Sequence, residues 1–536
     1  MRSNLARLVV GWTVVFLWLC PHLRMYTEES TRYYAFWGGR DALALAVIVL
    51  ELGTILFLVH ALVRALKVGW LSRTSNAAFV AAVGSAVIAN IQAGLVGRSH
   101  VWAAVVVVIL TSVVVALCVA SLVPQLSKIP RFFRATCLIV SPAVPLVFLQ
   151  LLWYPSFSVP LETVPTGDAV ALARGDLPER NERRVYVFIF DEWSYARTFD
   201  RPDFGVEFPN LARLVQTATV YHDAHSPHRS TSQSLPGILF QTTDTYVFAG
   251  GHVGFDGGDG TILAARWHDS LFHQADLAGY DTYLVGWYHP YRRMFGSELD
   301  FCWSAPSSAE ALLSDSLLEK VIGHSRIGLG KALVSIPKPA ALQWRVEQWC
   351  DTSNTDHAVG TSAAIHNLAL GIIRQAGHCL AVFHYAVPHW PFVYDRDGFN
   401  PDASGENPLH FGLSRDGAGG SPERERYIAR YTDNLRYADT LIGELIESIT
   451  SAGHFASSTI VLTSDHSWRH DPDLESDPEM IRLTHVPLII KHAQQIEPTE
   501  IDSPFSLVDL GNVLPIPRSD AHAAVRRRVQ VPVVSP

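Results

Sequence analysis

The stretch Arg184-Val-Tyr-Val-Phe-Ile-Phe-Asp-Glu-Trp-Ser194 contains a run of apolar residues that ends in two adjacent acids, Asp191 and Glu192. A short run of this kind predicts a strand that is buried on both faces of a sheet. Further runs of the same kind follow at residues 280–285, 380–385, 459–463 and 486–490. Amphipathic helical patterns, such as residues 427–448, lie between them. This alternation predicts an α/β sandwich around a largely parallel sheet.

Acids and histidines lie where several of the predicted strands end. They are Asp191 and Glu192 after the first run, His384 and His389 around the run at 380–385, and Asp465 and His466 after the run at 459–463. Ligands bind beyond the carboxyl ends of the strands in such sheets, so we expect these side chains to share one site. A charged residue after a strand is also common as a solvated loop start, but three such strand ends together favour a site. Carboxylates with imidazole predict one divalent metal ion, with zinc or manganese favoured over calcium.

A divalent ion can lower the pKa of a coordinated hydroxyl and so create a nucleophile. The segment Ser226-Pro-His-Arg-Ser-Thr-Ser-Gln-Ser-Leu-Pro236 supplies several hydroxyls. We expect a helix to begin at about Pro236, because proline is favoured in the first turn. That helix would leave Thr231 and Ser232 on the loop before it.

Apolar residues are concentrated before residue 155. Stretches of membrane-spanning length lie at residues 8–24, 42–65, 77–97, 101–124 and 135–154. The predicted organisation is a transmembrane helical bundle of about five spans at 1–155, a juxtamembrane linker at 156–183, an α/β domain at 184–512 and a tail at 513–536. Basic residues flank the spans mainly on one side, so the positive-inside rule predicts a cytoplasmic N-terminus. The sequence therefore predicts a multi-pass cell-membrane protein with an extracytoplasmic α/β domain.

The composition also limits the partners of the chain. The net charge is −9 and the pI is near 6.2. Nucleic-acid binding needs clustered Lys and Arg to neutralise phosphates, and the sequence offers no basic patch of that kind. We therefore expect no nucleic-acid partner.

Several short motifs occur in the order of a known superfamily. They are Phe190-Asp-Glu-Trp-Ser194, Phe208-Pro-Asn-Leu-Ala-Arg-Leu214, Leu235-Pro-Gly-Ile-Leu239, His384-Tyr-Ala-Val-Pro-His-Trp-Pro-Phe392, Tyr431-Thr-Asp-Asn-Leu-Arg-Tyr-Ala-Asp439, Thr463-Ser-Asp-His466, His485-Val-Pro-Leu-Ile-Ile-Lys491 and Leu507-Val-Asp-Leu510. Together they resemble the catalytic domain of the sulfatase and alkaline phosphatase superfamily over most of residues 184–512. The resemblance implies a sulfatase-type α/β sandwich and a metal-dependent hydrolase or phosphotransferase.

The nucleophile position differs between branches of this superfamily. Sulfatases have Cys-x-Pro-Ser-Arg before Leu-Leu-Thr-Gly, and one register places His225 at the Cys position. The other register aligns residues 238–239 with Leu-Leu and places Thr231 at the nucleophile. The second register is preferred because it also resembles phosphoethanolamine transferases and lipoteichoic acid synthases, which have five spans, an external domain and a threonine nucleophile. Phe240-Gln241 in place of Thr-Gly, and Ser467 in place of the usual Gly, depart from the family pattern.

The resemblance implies a set of metal ligands. The residues concerned are Asp191, Glu192, Thr231, Asp465 and His466. Sulfatases use adjacent acids whereas the transferases keep one Glu, so the first acid stays open between Asp191 and Glu192, with Asp191 preferred.

Thr231 and His389 are the implied catalytic residues. Arg229 and His470 are weaker candidates for substrate binding. The alternative for His389 is a structural histidine in a proline-rich loop, and the alternative for Arg229 and His470 is an ordinary surface position.

Three functions remain open at this point. The first is transfer or cleavage of a phosphate ester on membrane lipid head groups or envelope glycans, which an anchored enzyme would meet. The second is hydrolysis of sulfate or phosphate monoesters, although the missing Cys or Ser of a formylglycine motif argues against sulfate. The third is a non-catalytic membrane binding protein with a degenerate fold. The presence of Thr231 together with Asp191, Asp465 and His466 argues against the third.

Overall fold

The computed structural model divides the chain into two compact units. The first contains residues 1–161 and 308–354, and the second contains residues 162–307 and 355–536. The described residues are 2–27, 33, 39–95, 100–126, 128–153, 183–249, 252–258, 261–295, 298–306, 316–334, 340–403, 422–472 and 481–517. The predicted linker at 156–183 and tail at 513–536 lie almost wholly outside them.

Helices make up the first unit. They are α1 (Arg2–Thr27), α2 (Gly39–Ala65), α3 (Gly69–Leu95), α4 (His100–Ser121), α5 (Lys128–Val140), α6 (Ala143–Trp153), α12 (Leu317–Val334) and the beginning of α13 (Ala340–Gln375). The sequence assigned residues 308–354 to the α/β domain, whereas their contacts group them with the helices.

The predicted membrane bundle is confirmed in its helical character. Among the described residues, helices long and apolar enough to cross a membrane cover Asn4–Leu23, Arg40–Ala65, Gly69–Ile91 and Lys128–Leu151. The predicted span at 101–124 falls on α4, whose described apolar stretch, Val108–Ser121, is shorter. Among the described residues, four of the five predicted spans are therefore matched by helices of spanning length.

Helices α1 and α2 touch through their backbones. A Cβ atom on Gly11 would lie 2.4 Å from the carbonyl oxygen of Gly53, and one on Gly53 would lie 2.7 Å from the backbone nitrogen of Trp12. Small residues allow this close approach in membrane helices, where dispersion contacts replace the hydrophobic effect as the driving force.

A buried polar network joins α12 to α1 and α2. Asp41 Oδ1 accepts hydrogen bonds from Lys320 Nζ at 2.8 Å and from His324 Nε2 at 3.0 Å. His324 Nδ1 lies 2.9 Å from His22 Nε2. All four side chains are buried, and this pairing is what allows a lysine and an aspartate to be buried here.

The second unit is built on an eight-stranded sheet in the order β14-β2-β13-β12-β1-β9-β7-β8. The strands of this sheet are β1 (Arg184–Asp191), β2 (Thr219–Tyr221), β7 (Asp281–Tyr288), β8 (Phe301–Pro306), β9 (Cys379–Pro388), β12 (Ser458–Ser464), β13 (Leu488–Lys491) and β14 (Thr499–Ile501). All five predicted runs coincide with strands of this sheet. Neighbouring strands are parallel except where β13 pairs with β12 and β2, so the sheet is largely parallel, as predicted.

Shorter elements complete this unit. The remaining strands are β3 (Ala224–His225), β4 (Thr245–Ala249), β5 (His252–Asp256), β6 (Ile262–Ala264), β10 (Tyr394–Asp395), β11 (Gly398–Phe399) and β15 (Phe505–Ser506). The remaining helices are α7 (Phe204–Glu207), α8 (Pro209–Leu214), α9 (Thr231–Phe240), α10 (Leu271–Leu277), α11 (Tyr291–Phe295), α14 (Pro422–Ser451) and α15 (Leu510–Val513).

The centre of the sheet is buried on both faces. Every residue of β1, β9 and β12 is buried, which explains why their sequences are nearly continuous apolar runs. Phe188 stacks on Phe383, and Phe190 stacks on Tyr385, with ring centroids 5.1 and 5.0 Å apart. This packing fixes the carboxyl ends of β1 and β9 side by side.

Candidate active site

Two acids and a histidine meet at the carboxyl ends of β1 and β12. Asp191 is the last residue of β1, and Asp465 and His466 directly follow β12. The two strands are parallel neighbours in register, with Phe190 opposite Ser464. The three side chains are fully buried, and each offers a ligand atom within 4.8 Å of the others.

Thr231 joins this group as the first residue of α9. Its Oγ1 lies 3.2 Å from His466 Nε2 and 3.4 Å from each carboxylate oxygen of Asp191. The predicted helix start at Pro236 is wrong, because α9 begins at Thr231 after Ser230 in an extended conformation. A proline this early in a helix removes one backbone hydrogen bond and does not prevent the turn before it from forming.

The imidazole of His466 is oriented by its own loop. Its Nδ1 lies 2.8 Å from the carbonyl oxygen of Ser467, and a carbonyl only accepts, so Nδ1 carries the proton. Its Nε2 therefore faces Thr231 and the two acids. Asp191 Oδ1 and Asp465 Oδ2 lie 3.6 and 3.4 Å from this nitrogen.

Like charges dominate the centre of the group. Burial, together with the nearby charges of Asp465 and Glu192, raises the pKa of Asp191 well above its usual range. Asp465 keeps a lowered pKa in spite of its burial, since His466 and His384 lie close by and its Oδ1 accepts backbone N–H bonds from His466 and Glu192 at 2.9 and 3.3 Å. Asp465 Oδ2 has no hydrogen-bond donor among the described residues. The two carboxylates, the His466 imidazole nitrogen and the Thr231 hydroxyl face one another. Together they are a suitable set of ligands for a divalent cation.

Glu192 does not point into this group. Its backbone is left-handed, with φ of 63°, and its carboxylate accepts a hydrogen bond from Arg469 Nε at 2.7 Å. Burial disfavours the charged form, but His389 and Arg469 outweigh it and lower the pKa of Glu192 to about 2. Glu192 is thus an ion-pair partner of Arg469, while Asp191 is the acid that faces Asp465.

His389 lies on the other side of Arg469. Arg469 Nη2 donates to His389 Nε2 at 3.3 Å, so Nδ1 of His389 carries the proton and donates to the carbonyl oxygen of Trp390. Burial, followed by the Arg469 charge, lowers the pKa of His389 despite the opposing effect of Glu192. His389 is half-buried, and its ring is oriented by Arg469 and by the carbonyl of Trp390.

The two weaker candidates lie at the surface. Arg229 and His470 are both exposed, and neither belongs to the buried group of Asp191, Asp465 and His466.

Two residues outside the predicted set belong to the site. The side chain of Arg469 is 36% exposed and bridges Glu192 and His389. His289 Nε2 donates to the carbonyl oxygen of Thr231 at 3.0 Å, and burial lowers the pKa of this histidine to about 3. Arg469 follows the Asp465-His466 motif by three residues, and His289 directly follows β7, so the strand-end rule could have identified both.

One comparison with known proteins identifies a family. The sequence model of a family described as Sulfatase matches residues 192–514. No curated protein matches the chain. Similar solved structures include the phosphonate monoester hydrolase of Agrobacterium radiobacter, with 15% identity over 61% of this chain and 72% of that one and a TM-score of 0.37. The C-terminal periplasmic domain of EcEptC from Escherichia coli in complex with Zn has 13% identity, covers 62% of this chain and 81% of that one, and has a TM-score of 0.36. The lipoteichoic acid synthase LtaP from Listeria monocytogenes has 11% identity over 62% and 70%, with a TM-score of 0.34.

Proposed function

This chain belongs to the sulfatase family, and from that premise we propose that it is a membrane-anchored, metal-dependent phosphodiesterase or phosphotransferase that acts through Thr231. The observation that carries this proposal is the meeting of Thr231 Oγ1 with His466 Nε2 at 3.2 Å and with both oxygens of Asp191 at 3.4 Å. A threonine hydroxyl that only stabilised the fold would not need two buried acids and an imidazole nitrogen around it.

Asp191, Asp465, His466 and Thr231 are the residues that would hold one divalent ion, zinc or manganese in preference to calcium. When bound, such an ion lowers the pKa of the hydroxyl and polarises a non-bridging oxygen of the ester. Glu192 is left out of this set because its carboxylate is paired with Arg469.

The position of Thr231 at the start of α9 supports a nucleophilic role. Backbone N–H groups at a helix N-terminus stabilise negative charge, here the charge that develops on Oγ1. Oγ1 attacks phosphorus, the bond from phosphorus to the leaving alcohol breaks, and the alcohol departs with a proton. Water or an acceptor alcohol then attacks the phosphothreonine ester, and Thr231 regains its proton.

Arg469 is the group best suited to bind the non-bridging oxygens. Two of its nitrogens are engaged by Glu192 and His389, and among the described residues its other N–H groups have no acceptor. A guanidinium offers five donors, so those that remain are available to an oxyanion. His389 accepts from Arg469 and so acts as its positioning residue in this arrangement.

A phosphate ester is a better substrate than a sulfate ester for this site. The residue that one register places at the sulfatase Cys position, His225, bonds to Asp223 Oδ1 at 2.7 Å and lies on β3. With threonine as the nucleophile, aldehyde-hydrate chemistry is not open to this chain. The membrane helices and the positive-inside pattern favour lipid head groups or envelope glycans outside the cell as substrates.

Turnover of chromogenic esters by the full chain in detergent tests this proposal. We expect zinc- or manganese-dependent turnover of bis(p-nitrophenyl) phosphate that exceeds turnover of p-nitrophenyl sulfate. Thr231→Ala abolishes it, whereas Ser232→Ala, which removes the adjacent hydroxyl, keeps it within about tenfold. Undiminished turnover by Thr231→Ala, or full turnover after chelation, would refute the mechanism.

A further inference from the structure

One end of the helical unit carries basic residues without acidic ones. These residues are Arg7, Arg64, Lys67, Arg73, Lys128, Arg131 and Arg134. The sequence has no Asp or Glu before Glu28 and none between Glu51 and Glu162. Helices α1, α2, α3 and α5 contribute to this end, which we call the arginine end.

Arg134 is the residue around which the arginine end is organised. Its Nη2 donates to Asn76 Oδ1 at 2.6 Å and to His60 Nε2 at 3.3 Å, and its guanidinium carbon lies 5.6 Å from the ring centroid of Phe79. An arginine only donates, so His60 Nε2 accepts, and its Nδ1 is left to donate to Ser75 Oγ at 2.8 Å. Every described partner of Arg134 is therefore uncharged.

The charged neighbours of Arg134 raise the free energy of keeping its positive charge at this position. The groups whose fields act most strongly on it are Arg64, Arg7 and Arg131, all cations. Arg134 also lies six residues inside the span Lys128–Leu151, about 9 Å along the helix axis. An ion held at that depth without a counter-ion is unfavourable. A negative charge supplied from outside the described protein would offset this cost.

We propose that the arginine end binds the phosphate of an anionic phospholipid. Nε and Nη1 of Arg134 have no acceptor among the described residues, and they can donate to phosphate oxygens. The exposed side chains of Arg64 and Arg131 add positive charge beside them. Phospholipid phosphates lie in the head-group region that borders the ends of the spans, and basic pockets between membrane helices bind phosphorylated head groups. This site is independent of the catalytic proposal.

The positive-inside rule alone does not account for this geometry. Cations that merely orient a helix need no fixed partners and extend into water. Arg134 is instead held by side chains of α2 and α3 while it belongs to α5. The structure thus fixes its position where a lipid phosphate can reach it.

Retained lipid tests the proposal. The full chain is purified from membranes containing both phosphatidylglycerol and phosphatidylcholine, and the phospholipid that stays bound is measured by mass spectrometry. We expect the wild type to retain phosphatidylglycerol preferentially and Arg134→Gln to retain about fivefold less. Arg40→Gln is the matched control, since Arg40 is exposed and lies in the first turn of α2, at the opposite end of that helix from Arg64. Equal retention by Arg134→Gln and the wild type would overturn the site.

A second measurement uses only the wild type, so it does not depend on the folding of a variant. The thermal unfolding midpoint is followed with short-chain phosphatidylglycerol, short-chain phosphatidylcholine or inorganic phosphate. A rise in the unfolding midpoint with phosphatidylglycerol alone supports the lipid as the ligand. An equal rise in the midpoint with inorganic phosphate supports the same site with free phosphate as the ligand. An equal rise with the two lipids and none with phosphate, or no rise at all, contradicts the proposal.

Discussion

The α/β unit holds negative charge in a buried position, at its two acids, and the helical unit holds positive charge in a partly buried one, at the arginine end. Asp191 and Asp465 bring two buried carboxylates together, and Arg134 is held among uncharged side chains. Each arrangement is unfavourable in isolation, because burial disfavours a charge that has no counter-ion. Each therefore points to a ligand of the opposite sign.

The two sites differ in how firmly they are built. Asp465 Oδ1 accepts two backbone N–H bonds. Asp191 ends β1 and Asp465 directly follows β12, and both strands are buried along their whole length. Arg134 is a long side chain fixed by two side-chain hydrogen bonds. A rigid set of short side chains suits a small ion of defined coordination, whereas a long side chain can follow a larger and more mobile head group.

The largest expected effect is at the acids. Asp465→Asn removes one negative charge from the proposed metal site, so we expect turnover to fall by at least about a thousandfold. The free energy of unfolding should also lose its dependence on metal, which for a saturated site is about 3 kcal/mol. Thermal unfolding with and without zinc measures this loss, and Arg134→Gln, at the other site, should keep the full metal effect. If zinc still raised the unfolding midpoint of Asp465→Asn as much as that of the wild type, Asp465 would not belong to a metal site.

The next effect is at the cation that stands beside the acids. Arg469→Gln leaves Glu192 unpaired and removes the proposed oxyanion donor, so we expect kcat/KM for a phosphodiester to fall by about a hundredfold. Arg469→Lys should recover part of this loss, because it restores the charge without the forked geometry. Steady-state kinetics measure both variants, and His470→Gln is the adjacent exposed control. If His470→Gln lost as much activity as Arg469→Gln, the loop rather than the guanidinium would be responsible.

A smaller effect is expected at the arginine end, where a substitution should change stability in opposite directions, relative to the wild type, without and with anionic lipid. Arg134→Met replaces a half-buried ion by an apolar side chain, a change that is often neutral or stabilising. In detergent without anionic lipid we expect an unchanged or higher unfolding midpoint. With short-chain phosphatidylglycerol, the wild type should gain about 1 kcal/mol in free energy of unfolding and the variant should gain none. A variant that is strongly destabilised in both conditions would indicate a structural role for Arg134 instead.

The smallest effect concerns His289 and pH. Burial lowers the pKa of this histidine from 6.5 to about 3, so between these values the unfolded chain binds a proton that the folded chain does not. The free energy of unfolding therefore falls as the pH falls, by up to about 1.4 kcal/mol per pH unit from this group. His289→Gln keeps a donor for the Thr231 carbonyl and removes the titration. Its unfolding midpoint should decline less than that of the wild type between pH 6.5 and 5, and parallel declines would exclude His289 as the cause.

The sequence predicted the centre of the fold because that centre is apolar throughout. Strands such as the one at residues 185–190 are buried on both faces, so each is marked in the sequence by a local, nearly continuous apolar run. The convergence of Asp191 with Asp465 and His466 followed from the rule for strand ends, and the choice of Thr231 came from the family resemblance. That choice remains a prediction.

Other features depend on contacts that no local pattern records. The segment 308–354 joins the helices through Lys320 and His324, whose partners Asp41 and His22 are 279 and 302 residues away. The pairing of Glu192 with Arg469 depends on the directions of two loop side chains, and sequence spacing does not give those directions.

The backbone of Glu192 has a consequence for how this chain can change over evolutionary time. A residue other than glycine costs on the order of 1 kcal/mol in the left-handed conformation that Glu192 adopts. Glycine there would relieve the strain while deleting the carboxylate that holds Arg469. Laboratory selection for heat tolerance alone should therefore favour glycine at this position, whereas selection for turnover should keep the glutamate.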